Sequence, residues 1–217
     1  MFKQTFLVQW KWTRNALLAM SILVMIVPAV ALRLGANDYY NPTPATIINI
    51  SNISGYVLAL FAIITGIVVQ DASWRQDVNG KYIYALSMPV PWQELLVRRV
   101  AAGMILLLIP ALFALLGGGI AASLLELPST LHAYPFGVAV RYFLASVLAY
   151  AMWSILVRLS GERASLVVLL LLLAVPMAAV SIEVFHLNID VTWMSRVLTS
   201  SPSPLAVFFS RWALIDV

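Results

Sequence analysis

The chain has 217 residues, of which 62% are hydrophobic and 10% charged, with a net charge of +4 and a mean hydropathy of +0.95. A soluble domain carries about 25% charge, so the composition excludes a soluble globular protein and leaves no room for a nucleotide-binding domain. There is no cysteine, which excludes thiolate metal sites, and the positive balance reads as the basic bias of cytoplasmic loops rather than as affinity for nucleic acid. The expected fold is an all-α polytopic bundle, one membrane domain over residues 1–217, with about five or six spans of about 20 residues each.

Phe2 to Thr13 places Phe2, Phe6, Leu7 and Trp10 on one side of a helix, with Lys3, Lys11 and Arg14 supplying positive charge. This pattern predicts an interfacial helix along the inner leaflet, the alternative being a plain basic flank to the first span. The first span is expected over 16–32. Ala29-Val30-Ala31 resembles a signal cleavage site, but the segment is expected to be retained. A loop rich in Asn, Pro and Tyr follows, with glycosylation triplets at Asn49 and Asn52 that are too short to weigh heavily. The second span is expected over 52–70.

Gln70 to Arg99 is the longest polar break between apolar runs and holds seven of the chain's 22 charged side chains. Asp77 and Lys81 are four apart, acid first, and Glu94 and Arg98 repeat the arrangement, which favours helix. Gln76 to Ser87 is expected to form a short amphipathic helix, with Tyr82, Ile83 and Leu86 as its apolar stripe. Pro89 and Pro91 then end it, and Pro91 suits the first position of the next helix.

The third span is expected over 100–121, kinked at Pro110, with Gly117, Gly118 and Gly119 allowing a bend or a close backbone approach. The fourth is expected over 136–157 and the fifth over 164–182, joined by a tight turn from Arg158 to Arg163. Beyond Glu183, apolar and polar residues alternate from Phe185 to Trp193, a strand signal without visible partner strands. Leu205 to Val217 is apolar but too short to span. Lys and Arg number nine on the amino-terminal flank, the central break and the fourth-to-fifth turn, against Arg33, Arg141, Arg196 and Arg211 elsewhere. That asymmetry puts the amino terminus and the central loop in the cytoplasm.

Chemistry-bearing motifs are missing. No GxxxxGK[ST] loop is present, and His132 and His186 have no partners at metal-ligand spacing. The span cores hold no carboxylate of the kind ion coupling requires. Arg141 is the one charge well inside a predicted helix, about a turn and a half from its outer end. It either snorkels to the interface or contacts an anionic substrate or headgroup. If the chain transports, its energy must come from a partner.

Gly80-Lys81-Tyr82-Ile83-Tyr84-Ala85-Leu86-Ser87-Met88-Pro89-Val90-Pro91-Trp92-Gln93-Glu94-Leu95-Leu96 resembles the loop between the second and third spans of ABC-2 type ABC transporter permeases. Ser87, Pro89, Val90, Glu94, Leu95 and Arg99 fit the loose family pattern, as do the amino-terminal segment and Ser201-Pro202. The resemblance implies a permease subunit, most typically of an exporter, in the bacterial inner membrane. It implies a partner ABC ATPase subunit carrying ATP and Mg, and a second permease subunit, identical or not. No catalysis is then expected on this chain, which itself holds no cofactor. The short helix of the central break becomes a coupling helix, so Arg75, Gln76, Asp77, Lys81, Tyr82 and Tyr84 are expected to contact the ATPase, with Arg158, Glu162 and Arg163 as a smaller second contact. Substrate-binding residues are not readable. The family's sixth span has no counterpart here. The competing reading is a non-transport assembly or sensor subunit that docks a soluble partner through residues 71–99.

Overall fold

In hydrocarbon no water satisfies a backbone N–H or C=O, so an apolar chain closes its hydrogen bonds within each segment, as helix. The computed structural model of the protein describes residues 2–37, 43–79, 91–124, 131–160, 206–209, 212 and 214–216. Helix α1 is Phe2–Asn37, α2 is Pro44–Asn79, α3 is Trp92–Ser123 and α4 is Pro135–Ser160. A short strand β1, His132–Ala133, precedes α4, while a four-residue helix α5, Ala206–Phe209, and a strand β2, Ile215–Asp216, follow it. Phe2–Ala31, Pro44–Ala72, Val97–Ser123 and Pro135–Val157 are long and apolar enough to cross a bilayer. The protein is an all-α polytopic membrane bundle with four such helices among the described residues, against the five or six expected. The fifth span expected at 164–182, and the alternating tail after it, fall outside the described residues.

Three boundaries differ from the sequence expectations. The separate interfacial helix at Phe2 to Thr13 is instead the opening of α1, continuous with the first span. Its buried side chains are Gln9 and Thr13, with Phe6 and Trp10 packed on the core, while Phe2 and Leu7 stay exposed. The buried face thus keeps Phe6 and Trp10 of the apolar side and adds Gln9 and Thr13, which stand beside them at 3.6 residues per turn. Helix α2 begins at Pro44 rather than near residue 52. Thr43 precedes that proline, and the Thr46 N–H donates to its hydroxyl at 3.4 Å, a Thr cap followed by Pro at the first helical position. At its other end α2 runs to Asn79, so Gln76, the expected start of a separate coupling helix, belongs to α2. Helix α3 opens at Trp92 with Pro91 just before it, as expected.

By close packing the chain divides into two units, residues 1–150 with 211–217, and residues 151–210. In the second, the described residues are the last turns of α4, where Trp153, Ser154 and Val157 are buried, and α5. In the first, α1 packs along both α3 and α2, while α2 and α3 meet only briefly. Leu17 of α1, Val69 of α2, Leu106 and Leu107 of α3 and Tyr150 of α4 form one buried cluster. Met25 lies against Gly117 and Tyr150 against Gly103, so α1 and α3 run together and α4 runs against α3. Phe2, Asn79 and Trp92 thus share one end of this unit, here the first end. Asn37, Pro44, Ser123 and Pro135 share the opposite end.

Lipid tails are as apolar as leucine, so helices in a bilayer associate through close packing rather than through burial of large side chains. The outward faces agree: Ile22, Ile26, Leu60, Leu108, Leu112 and Leu116 are exposed. The closest backbone approaches between helices are made at small residues. A Cβ on Gly66 of α2 would collide with the Ser146 carbonyl oxygen, and would stand 2.8 Å from the Tyr150 nitrogen and 2.9 Å from the Ala149 Cβ, all on α4. Gly117 meets the Met25 backbone in the same way, whereas a Cβ on Gly119 would meet nothing within 4 Å. The glycine triplet therefore serves close approach at Gly117, within a helix that continues to Ser123.

Gly66→Ala is expected to lower the thermal stability of the detergent-solubilised protein by about 1–3 kcal/mol, the usual cost of overpacking. Gly119→Ala is expected to leave it unchanged or raise it by about 0.5–1 kcal/mol, since only the glycine's helix penalty is removed. Thermal unfolding of the two single variants, side by side, checks the pair.

Candidate functional site

The first end of the bundle carries the charge. Lys3, Lys11 and Arg14 lie on α1 and are exposed. Arg75 lies near the end of α2, and Arg98 and Arg99 near the start of α3. In the first unit the described cations at the opposite end are Arg33 and Arg141. Helix α2 reaches Asn79, two turns past the end of its apolar window at Ala72. Arg75, Gln76 and Asp77 sit on that extension. Lys81, Tyr82 and Tyr84, together with most of the stretch that carries the family resemblance, fall outside the described residues. Arg158 lies in the last turn of α4, in the second unit, and Glu162 and Arg163 fall outside the described residues. The acid-first spacing of Glu94 and Arg98 does give an ion pair between Arg98 Nη2 and Glu94 Oε1. Both side chains are well exposed, so the pair contributes about 0.3–0.5 kcal/mol.

Among the described residues, the interior of the first unit is polar without being charged. Gln9, Thr13, Ser21, Ser51, Ser54, Thr65, Gln70 and Ser146 are buried. Most of the hydroxyls return to their own helix: Thr13 donates to the Gln9 carbonyl at 2.9 Å, Ser21 to Leu17 at 2.7 Å and Ser54 to Ser51 at 2.8 Å. The cross-helix bond is different. Thr65 Oγ1 of α2 and the Tyr142 hydroxyl of α4 lie 2.8 Å apart, and Thr65 also reaches the Phe61 carbonyl at 2.7 Å. Thr65 donates to that carbonyl and accepts from Tyr142, which closes a chain of hydroxyls one turn from the Gly66 contact.

Gln9 is the exception to this self-sufficiency. It is 2% exposed, and neither its Oε1 nor its Nε2 has a hydrogen-bond partner. A buried, unmade hydrogen bond costs about 1–3 kcal/mol, so this amide is a point where the bundle carries an unspent polar group. The signal was present in the sequence, as a glutamine one turn before Thr13 and flanked by Phe6 and Trp10.

At the opposite end, His132 and Arg141 take up different positions. His132 is exposed on β1, opposite Asp216 of β2. Arg141 is half-buried, six residues into α4, and makes no hydrogen bond or ion pair with described residues. The Asn49 triplet lies on α2 rather than in a loop, and the hydroxyl of its serine, Ser51, is buried. Among the described residues no group of three or more His, Cys, Asp or Glu is placed to hold a metal ion.

No protein-family model, no curated protein and no solved structure matches the chain significantly.

Two outcomes are expected at these positions. In a double-mutant cycle, Thr65→Val and Tyr142→Phe should couple by about 0.6 kcal/mol, typical of hydrogen bonds between membrane helices. Gln9→Met should raise thermal stability, by up to about 1–3 kcal/mol, because it removes an unpartnered amide while keeping its length. A loss of stability on that substitution would show that the amide is paired in the membrane, and both are read from the midpoint of thermal unfolding.

Proposed function

We propose that the chain is the membrane-spanning subunit of a transporter, an ABC-2-like permease that docks a separate ATPase at the first end of the bundle. The observation that carries this reading is the extension of α2. It leads Arg75, Gln76 and Asp77 as continuous helix past the apolar window at Ala72, at the end where α1 and α3 are also cationic. A helix that leaves the bilayer intact and bears charge is suited to a soluble partner. The cations also argue that this end faces the cytoplasm. The central stretch that follows resembles the coupling region of such permeases in sequence. The spans themselves carry no buried carboxylate among the described residues, which agrees with energy supplied by a partner rather than by an ion gradient.

In this reading α2 and the start of α3 receive the movement of the ATPase, and the neutral hydroxyl-rich interior lines the route of the substrate. ATP and Mg would be held on the partner, and a second permease subunit would complete the assembly.

The protein purified from its native membranes is expected to bring down a stoichiometric ATPase, and scrambling residues 75–84 should release it. Asp77→Ala combined with Lys81→Ala should leave the fold and the membrane level unchanged while uncoupling ATP hydrolysis from transport. A catalytically silent preparation without such a subunit would instead favour an assembly or sensor subunit docking another soluble protein.

A further inference from the structure

Arg141 lies deeper in the bundle than its place near the start of α4 suggests. A Cβ on Gly118 of α3 would come within 3.2 Å of Pro135 Cβ, and one on Gly103 would stand 2.6 Å from the Tyr150 ring. These contacts fix the antiparallel register of α3 and α4, and they set Arg141 level with Leu112. Leu112 is two residues from the midpoint of the Val97–Ser123 window, about 3 Å along the axis. Helix α2 runs parallel to α4, and its Gly66 meets Ser146, Ala149 and Tyr150, which sets Arg141 level with the stretch from Val57 to Phe61. That stretch contains Leu58, the midpoint of Pro44–Ala72. Both registers put the Arg141 backbone close to the middle of the bilayer.

A charge at that depth is costly and marks a functional position. Arg141 is half-buried and makes no hydrogen bond or ion pair with described residues. Snorkelling does not carry it out. A helical side chain lies over the turn on the amino-terminal side of its own Cα, so the guanidinium stands near the level of Gly137, which the α3 register matches to Leu116. Leu116 is about 9 Å from the window's midpoint, whereas the hydrocarbon extends about 15 Å from the mid-plane.

The surroundings open toward lipid. Inside the bundle near this level the space is filled by chain: Trp212 is buried against Gly55 of α2, and the N–H groups of Leu214 and Ile215 donate to Ser51 Oγ at 2.8 and 2.9 Å. Outside there is room. A Cβ on Gly137, one turn before Arg141, would meet only Tyr134 Cβ, at 3.8 Å. Phe136, Val140 and Leu144 of α4 are exposed. The guanidinium therefore borders an open, apolar helix face. A small anion would have to cross hydrocarbon to reach it, whereas an anion with its own apolar tail is already in the bilayer. Guanidinium pairs in bidentate fashion with phosphate and carboxylate.

We propose that Arg141 anchors the acidic head of an amphipathic lipid that enters from the bilayer and lays its tail along Val140 and Leu144. A head held there is drawn about 6 Å below the headgroup layer, the position of a lipid in transit rather than one at rest in a leaflet. Taking that lipid as cargo rests on the transport reading and names its substrate class; the binding itself stands without it.

The full chain is purified in a non-ionic detergent, and phosphatidylglycerol with a fluorescent tail is titrated onto it. One saturable site per chain is expected, displaced about tenfold better by unlabelled phosphatidylglycerol than by phosphatidylcholine and untouched by inorganic phosphate. Arg141→Gln should weaken binding about tenfold, and Arg141→Lys should restore part of it. Gly137→Leu fills the open room, leaves the charge in place and should weaken binding several-fold. Arg33→Gln, which removes an exposed cation of the same end, should leave it unchanged. Thermal midpoints check that each variant is folded, and if Arg141→Gln is not, Gly137→Leu decides. Full binding by the Arg141→Gln or Gly137→Leu variant would overturn the proposal. An equal loss in Arg33→Gln would also overturn it, since the attraction would then be to basic surface in general. Displacement by inorganic phosphate would do the same, since the site would then hold a small anion. The titration contains no ATPase, so the lipid site and the permease reading fail separately.

Discussion

The close approach of α2 to α4 at Gly66 is the contact on which the bundle depends. In a bilayer, helices gain little by hiding leucine from lipid, and the exposed rows of Leu and Ile on α1, α2 and α3 accordingly make no claim on one another. What joins the helices is shape. Gly66 lets the backbone of α2 reach that of α4 at Ser146 and Tyr150. That proximity brings Thr65 within 2.8 Å of Tyr142 and lets Tyr150 lie over Gly103 of α3. Gly117 plays the same part between α3 and α1 at Met25. These three pairs, α2 with α4, α3 with α4 and α1 with α3, each meet at a position where a side chain is missing, and the Thr65–Tyr142 contact follows from the distance so fixed at Gly66.

This interior has a consequence for chemistry. The buried polar groups of the first unit, among the described residues, are hydroxyls and amides, and most of the hydroxyls are satisfied by their own helix one turn back. A hydroxyl bonded to its own carbonyl can still accept a hydrogen bond, so such a surface wets readily without carrying charge. Gln9 departs from the pattern: with neither amide atom paired, it has both a donor and an acceptor to offer.

The membrane class, the second, third and fourth spans, the Glu94–Arg98 pair and the close approach at the glycine triplet were legible in the sequence, because each depends on local composition or spacing. The start of α2 was also legible in principle, from Thr43 before Pro44, but the Asn- and Tyr-rich stretch around it argued for loop. The amino-terminal segment misled because nothing in it breaks the helix before the first span, so it runs on into α1. Polar Gln9 and Thr13 face the neighbouring helices, a choice made by helix packing that hydrophobic periodicity does not see. Pairing of β1 with β2 was beyond reach, since it joins residues more than eighty positions apart through two-residue strands. The same holds for Ser51, whose two acceptor bonds come from Leu214 and Ile215. Of the candidate docking residues Arg75, Gln76 and Asp77, the sequence marked the last two as the start of a short separate helix, with Arg75 just before it. Their place on the end of a long helix follows from nothing in the stretch breaking it before Asn79.

Helix α2 is 36 residues long, and unlike α1 and α3 it holds no proline within its length. Its opposite end carries Ser51 and Gly55, and its first end carries Arg75 to Asp77. About 24 residues separate these groups, roughly 36 Å at 1.5 Å per residue. With every backbone hydrogen bond in place between them, the helix behaves as a stiff rod whose fulcrum is the tight contact at Gly66. Tipping it by about 5° about that point would carry the farther end through roughly 1–2 Å, as the rise per residue dictates. That is enough to shorten or break a hydrogen bond of 2.8 Å without any bond within the helix changing.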